Sequence, residues 1–503
     1  MNFQRSGGIL LHPTSLPGPY GIGDLGPHAH IFVDWLGISG CKLWQVLPLG
    51  HTGYGDSPYQ CFSAFAGSPY LISPELLVSD GLLDESDLED GRRLSADQSA
   101  NDVDFANVIP WKMSLLGRAF ERFQETDPVG LREEFGMFRA ENSDWLDDYA
   151  LFMALKEQHG GGSWVDWPEA IRKREEAAMR EARQSLSERV LRFSFYQLLF
   201  FRQWAALHAH AHEKGIQIIG DIPIFVAEDS ADVWAHPELF YLDEERKPTV
   251  VAGVPPDYFS PTGQRWGNPL YRWEEHKNTG YAWWISRFRS ILGIVDIVRL
   301  DHFRGFAGYW EIPAANPTAE IGRWVPGPGT DFMEAIQRSL APSGSEELPI
   351  IAEDLGVITT DVIELRERFH LPGMRILQFG FSDPRNAFLP HMYRTDCVAY
   401  TGTHDNDTAR GWFESAPKGE ARFALKYLHS TARNFVWDMV RAIWASVAVF
   451  AVAPMQDMLD LGTQARMNYP SRLGGNWHWR VVESELSDAL ARKLRDLNYL
   501  YFR

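Results

Sequence analysis

A chain of 503 residues, 45% of them apolar, can bury a large core as one elaborated barrel or as two or three domains. Its formal net charge of −19, with no cluster of Lys and Arg, argues against a nucleic-acid or anionic-membrane surface and leaves neutral substrates such as sugars open. The three cysteines, Cys41, Cys61 and Cys397, form no CxxC pair, so neither a disulfide framework nor a zinc knuckle is expected, and a reducing cytosol fits.

Eight short apolar runs read as buried strands. In chain order they are Gly8–His12, Leu43–Leu49, Ile216–Val226, Ile294–Asp301, Leu348–Leu355, Met374–Phe381, Cys397–Asp405 and Val447–Met455. Helical patterns separate most of them. Eight strand–helix units are the signature of a (β/α)8 barrel. Residues 1–503 are therefore read as a single catalytic barrel with insertions. The stretch 74–213 is predicted as a mainly helical insertion between the second and third strands, ending in the barrel helix that leads to the third. Within it Glu176 and Arg180 stand at helical spacing for an ion pair, and the acidic stretch Asp84–Asp104 reads as a solvated loop or frayed helix. A second insertion, 227–286, carries a loop at 252–273 dense in Pro, Gly and aromatic residues, which could close over a substrate and exclude water. The loop His51–Phe65 is a second candidate substrate surface.

Met1 to Leu16 shows no signal-peptide pattern, and the apolar run Ile443–Met455 is shorter than the roughly 20 residues a membrane helix needs. A cytoplasmic protein without membrane contact is expected. No phosphate-binding glycine loop precedes a helix, so no nucleotide cofactor is expected.

In a barrel of this kind catalytic groups sit at the C-terminal ends of strands. Those ends supply Asp221, then Arg299 and Asp301, then Glu353 and Asp354, then His404 and Asp405. A lone Asp after a strand is often a helix N-cap; carboxylates on four strands, aimed at one mouth, point to chemistry. Glycosidic bonds are broken with retention by two carboxyls, a nucleophile and an acid, about 5–5.5 Å apart. Arg299, two positions before Asp301, falls on the same side of its strand and would hold Asp301 charged and oriented. Asp301 is thus the expected nucleophile and Glu353 the acid/base, its proton retained by burial or neighbouring charge. Asp405 and His404 would brace the distorted sugar. His302, His404, Asp405 and Asp407 are also metal-ligand types, but no HxH pair follows the first strand, where His12 stands alone. No metal is expected.

The chain resembles the amylomaltases, the 4-alpha-glucanotransferases of glycoside hydrolase family 77, almost end to end. The resemblance rests on LLHPTSLPGPYGIGDLG, LPLGHTGYGDSPYQ, GDIPIFVAEDSADVW, AGVPPDYFSPTGQRWGNP, VRLDHFRGF, IAEDLG, YTGTHDND and ARMNYPSRLGGNW. It implies an alpha-amylase-type barrel without a C-terminal β-domain, and no cofactor. By motif, Asp301 matches the nucleophile, Glu353 the acid/base and Asp405 the transition-state stabiliser. Tyr59, Asp221, Arg299 and His404 fall on other active-site positions. Tyr54, Asp56, Ser57, Gln264, Trp266, Asn468 and Pro470 lie in motifs that line the glucan channel. Cys61 departs from the small polar residue expected there and would add redox sensitivity. The implied reaction moves a segment of α-1,4-glucan or maltooligosaccharide to the 4-hydroxyl of glucose or another glucan through a covalent glucosyl-enzyme. An α-glucan hydrolase on the same site and a non-catalytic glucan-binding protein are the rival readings.

Overall fold

Each of the eight apolar runs overlaps a strand of one sheet; the strands of the first and sixth runs begin before them, at Ser6 and Gly373. The computed structural model describes residues 3–96, 99–126, 130–256, 260–341, 347–472 and 474–503, with the Tyr54 side chain outside the described set. Its strands are β1 (Ser6–Leu10), β2 (Leu43–Gln45), β3 (Gln217–Pro223), β4 (Val250–Val254), β5 (Gln264–Pro269), β6 (Ile297–Asp301), β7 (Gly308–Pro313), β8 (Arg323–Pro326), β9 (Ile350–Ala352), β10 (Gly373–Ile376), β11 (Cys397–Tyr400) and β12 (Phe450–Pro454). Eight of them pair in the order β10-β11-β12-β1-β2-β3-β6-β9, all parallel. Chain order is kept around the ring, as a (β/α)8 barrel requires. The strands are apolar runs because both faces are covered: β1, β2, β9, β11 and β12 are buried throughout. At Gly8 a Cβ would lie 2.4 Å from both the Cβ and the carbonyl oxygen of Leu43, so the close approach of β1 and β2 needs glycine.

The ring closes between β9 and β10 without a regular ladder. Pro372 has no N–H to offer there. One backbone bond crosses, from Ala352 N–H to the Pro372 carbonyl (2.9 Å). A side chain does the rest. Asp354 accepts the Met374 N–H at 2.7 Å, and its other oxygen lies 3.5 Å from both Arg366 and Arg375.

Between β2 and β3 run the helices Phe105–Thr126, Leu131–Glu141, Ser143–Gln158, Glu176–Ser185 and Ser187–Glu213, among shorter ones. Arg180 pairs with Glu176 on the exposed face of its helix. The acidic stretch is more ordered than expected, with a helix at Glu89–Ala96. Two buried glutamines tie the last helix to the chain after β2: Gln197 exchanges hydrogen bonds with the Gly67 backbone (2.8 and 2.9 Å), and Gln203 does so with Ser73 (2.7 and 3.3 Å).

The segment 252–273 is not a plain loop. Its first residues belong to β4 and Gln264–Pro269 form β5; these join β7 and β8 in an antiparallel sheet of order β5-β4-β7-β8, and residues 257–259 lie outside the described set. Pairing of β4 with β7 joins excursions from β3 and β6 over the barrel mouth. Most of the tryptophans serve the core, six of them among the largest fully buried side chains.

Asp354→Ala should open the β9–β10 closure and take from buried Arg366 the nearest of its three carboxylates, leaving Glu367 at 3.7 Å and Asp396 at 3.8 Å. The expected loss is about 3 kcal/mol, read as a lower thermal or denaturant midpoint; an unchanged midpoint would show that the closure does not depend on this carboxylate.

Candidate active site

The C-terminal end of the barrel gathers the expected polar groups. Asp221 on β3 and Arg299 on β6 are register partners, and Pro223 pairs with Asp301. Arg299 Nη1 lies 2.6 Å from Asp221 Oδ2 and 2.8 Å from Asp301 Oδ1. Tyr59, carried in by the loop after β2, donates its hydroxyl to Asp221 Oδ2 (2.8 Å). Burial opposes charge on Arg299, but Asp221 and Asp301 outweigh it and hold the guanidinium proton more tightly than usual. Burial raises Asp221 while Arg299 draws it back, to about 6. Asp301 is the carboxylate of the pair that reaches the cleft: its side chain is 27% exposed, against 0% for Asp221.

Glu353 follows β9 directly. Its carboxyl accepts two backbone N–H groups, from His302 on Oε2 (2.7 Å) and from Leu355 on Oε1 (2.8 Å). These bonds favour the charged form. Burial, and then the charge of Asp301, work the other way and prevail, pushing its pKa up to about 8. Between the two carboxyls the chain turns sharply at His302, φ 51°. A left-handed conformation costs a non-glycine residue roughly 1–2 kcal/mol. Ser471 (φ 65°) and Trp477 (φ 69°), on the opposite wall, carry the same strain, which gathers at functional sites.

Asp405, after β11, faces the open side. Asn468 Nδ2 donates to its Oδ1 (2.7 Å), and His404 Nε2 is 3.4 Å from its Oδ2. The surrounding protein raises its pKa, but His404 and Asn468 outweigh that effect and hold it below the usual carboxylate range. The Tyr59 ring stacks on His404 at 5.0 Å and 21°, and Trp477 lies within 6.0 Å of both rings. Across the cleft the Trp266 and His302 rings meet edge to face at 4.8 Å.

The cleft is open to solvent and, with the solvent space at its mouth included, spans about 2290 Å³. Of the expected residues, Ser57, Tyr59, Gln264, Trp266, Asp301, His404, Asp405, Asn468 and Pro470 line it. Four do not. Asp221 and Arg299 are buried behind Asp301, and Glu353 is held back by its two amides. Asp56 turns into a small cavity shared with His12 and Tyr70, where burial raises its pKa. The Tyr54 side chain lies outside the described residues. Trp477 was not singled out from the sequence, although it ends one of the quoted motifs. Cys61 is half-buried; burial pushes its thiol up to about 12 and its Sγ donates to the Pro58 carbonyl (3.1 Å), both of which disfavour the reactive thiolate. The four metal-type residues do not converge on a common ion among the described residues. Asp407 is engaged by Thr463 Oγ1 and Thr408 N–H, both at 2.8 Å.

Two carboxyls near enough to interact, one paired with a guanidinium and one kept protonated, beside an aromatic-walled cleft, suit glycosidic chemistry. Comparison with known proteins decides which kind. The sequence model of the 4-alpha-glucanotransferase family matches residues 11–485. The chain is 53% identical to the 4-alpha-glucanotransferase of Thermus thermophilus, over 98% of each chain. The chain belongs to the 4-alpha-glucanotransferase family, glycoside hydrolase family 77. It is 47% identical to the 4-alpha-glucanotransferase of Synechocystis sp., over 99% of this chain and 98% of that one. Its fold superposes on the amylomaltase of Streptococcus agalactiae with a TM-score of 0.95 at 39% identity, covering 99% of this chain and 100% of the other. As a member of the family it is a glucan-transferring enzyme, and the plain-hydrolase and binding-protein readings fall away.

Because Glu353 is held protonated up to about pH 8, kcat/KM for a maltooligosaccharide donor should stay level to that pH and then fall about tenfold per unit. A limb that already falls near pH 6 would show that Glu353 is not the acid of the first step.

Proposed function

We propose that Asp301 is the nucleophile of the transfer, Glu353 its acid/base and Asp405 the group that braces the sugar in the transition state. The observation that carries the assignment is the difference between the two buried-side carboxyls: Asp301 faces Arg299 at 2.8 Å, whereas burial and Asp301 keep a proton on Glu353. In the first step an Asp301 oxygen attacks the anomeric carbon. The bond to the departing 4-oxygen breaks, and that oxygen takes the Glu353 proton. A glucosyl ester of Asp301 remains. In the second step the 4-hydroxyl of an acceptor gives its proton to Glu353 and attacks the same carbon, releasing Asp301. Two inversions retain the anomeric configuration. Glu353 turns from its backbone amides towards the cleft when a donor is bound.

The Streptococcus agalactiae amylomaltase binds acarbose, and we place α-1,4-linked glucosides in the corresponding cleft of this enzyme. Tyr54, Ser57, Gln264, Trp266, Asn468 and Pro470 contact the chain, and Tyr59 and His404 contact the reacting sugar. Asp221 and Arg299 act from behind by holding Asp301 and Tyr59 in place, and Asp56 supports the loop of Tyr54. Glucose is the smallest acceptor. Each step is carried by a side chain, without a metal or organic cofactor. Nucleic acid and membrane play no part, in line with the charge of −19. No described helix is long and apolar enough to cross a membrane, and we assign the enzyme to the cytoplasm. Residues 74–213 and 227–286 are insertions in one catalytic barrel, the second bringing Trp266 over the cleft to limit water.

Incubated with maltotriose, the enzyme should release glucose and build longer maltooligosaccharides; glucose and maltose alone would defeat the transfer reading. The roles of the carboxyls separate with α-glucosyl fluoride, whose leaving group needs no proton. Asp301→Asn should lose on the order of 10⁴-fold with either donor. Glu353→Gln should lose as much with maltotriose yet still form the glucosyl ester from the fluoride. Equal behaviour of the two variants would overturn the assignment.

A further inference from the structure

Asp296 precedes β6, at the end of the barrel away from Asp301. Five residues of strand separate the two, roughly 17 Å. The helix Ser187–Glu213 ends beside Asp296, and its last turns carry three alternating histidines, His208, His210 and His212. Residues four apart share a helix face, and His208 and His212 turn together towards Asp296. His208 Nε2 is 3.2 Å from Asp296 Oδ2, and His212 Nε2 is 2.7 Å from Oδ1. Their ring centroids are 4.2 Å apart. Ligand atoms of the three residues all lie within 4.8 Å of one another, the one such group of His, Cys, Asp or Glu found among the described residues.

We infer that His208, His212 and Asp296 form a binding site for a divalent transition-metal ion of the zinc type. Two imidazoles and a carboxylate are a set that zinc accepts, with water in a fourth position. In a tetrahedral site with bonds near 2.0–2.1 Å neighbouring ligand atoms stand about 3.3 Å apart; the imidazole-to-carboxylate distances of 3.2 and 2.7 Å lie near that value, and the 4.8 Å spread of the three ligand atoms leaves a small side-chain adjustment to close around an ion. The carboxylate is oriented from behind by the Ile218 N–H, which donates to Asp296 Oδ2 (2.7 Å). His212 is 49% exposed and leaves a path in from solvent. The neighbouring His210 makes the contrast. It faces Asp34 at 3.0 Å, but there the Lys214 ammonium already sits 2.8 Å from the same carboxylate oxygen. Asp296 has no Lys or Arg partner among the described residues; its side-chain partners there are the two imidazoles. A bound ion would replace the two N–H bonds by metal bonds and fasten the helix end to the start of β3 and β6.

The test is a zinc titration of the untagged full-length chain by calorimetry, with cobalt as a spectroscopic stand-in. One equivalent should bind, the thermal midpoint should rise with zinc concentration, and cobalt should give visible ligand-field bands. His208→Ala and His212→Ala should each weaken binding by about tenfold or more, His210→Ala should not, and maltotriose transfer should be the same in all three. Absence of saturable binding, wild-type affinity in His212→Ala, or an equal loss in His210→Ala would overturn the assignment.

Discussion

One buried cation organises the catalytic end of this barrel. Arg299 stands between Asp221 and Asp301 with almost no contact with water. A guanidinium in such a place is stable only while both carboxylates face it. The pairing fixes β3 against β6 at the level where chemistry is needed. It also places the Tyr59 hydroxyl, because Tyr59 hangs from the far side of Asp221. Through Tyr59 the constraint reaches His404 and Trp477, and so the opposite wall of the cleft. A single charge thus sets the relative positions of groups drawn from five separate stretches of chain.

The second carboxyl obeys a different logic. Glu353 is hydrogen-bonded as a carboxylate would be, yet burial and the nearby Asp301 keep its proton. It stands beside the place where the barrel is least regular. Pro372 interrupts the ladder between β9 and β10, and Asp354, the next residue after Glu353, mends it. Structural and chemical carboxyls are neighbours in sequence because one strand end serves both purposes. Just past the end of β9 the two side chains part: Asp354 turns to the Met374 N–H and closes the ring, while Glu353 turns to the His302 and Leu355 amides.

What could be read from sequence follows the range of the interactions involved. The barrel strands were legible because a fully covered parallel strand must be apolar along its whole length, and that is a local property. Arg299 and Asp301 were legible as partners because two positions on a strand share a face. The antiparallel sheet was not. Val250–Val254 finds its partner in Gly308–Pro313, and nothing in the intervening prolines and glycines announces a pairing across so much chain. Depth was also hidden. Motifs mark Asp56, Asp221 and Arg299 as belonging to the site, but only packing reveals that they stand behind it. Trp477 joins the aromatic wall by way of a left-handed turn that no pattern of residue types encodes.

The proton on Glu353 has a consequence for the folding reaction itself. An ordinary glutamate, at 4.5, is ionised in the unfolded chain at neutral pH, while in the folded enzyme the group titrates near 8. Folding at pH 7 therefore draws a proton out of solution at this position. What that carboxyl contributes to stability is complete below about pH 4.5 and is lost as the pH climbs through about 8. Under the proposed assignment of Glu353 as the acid, no separate activation is needed: the chain arrives at its native state already holding the proton to be given away.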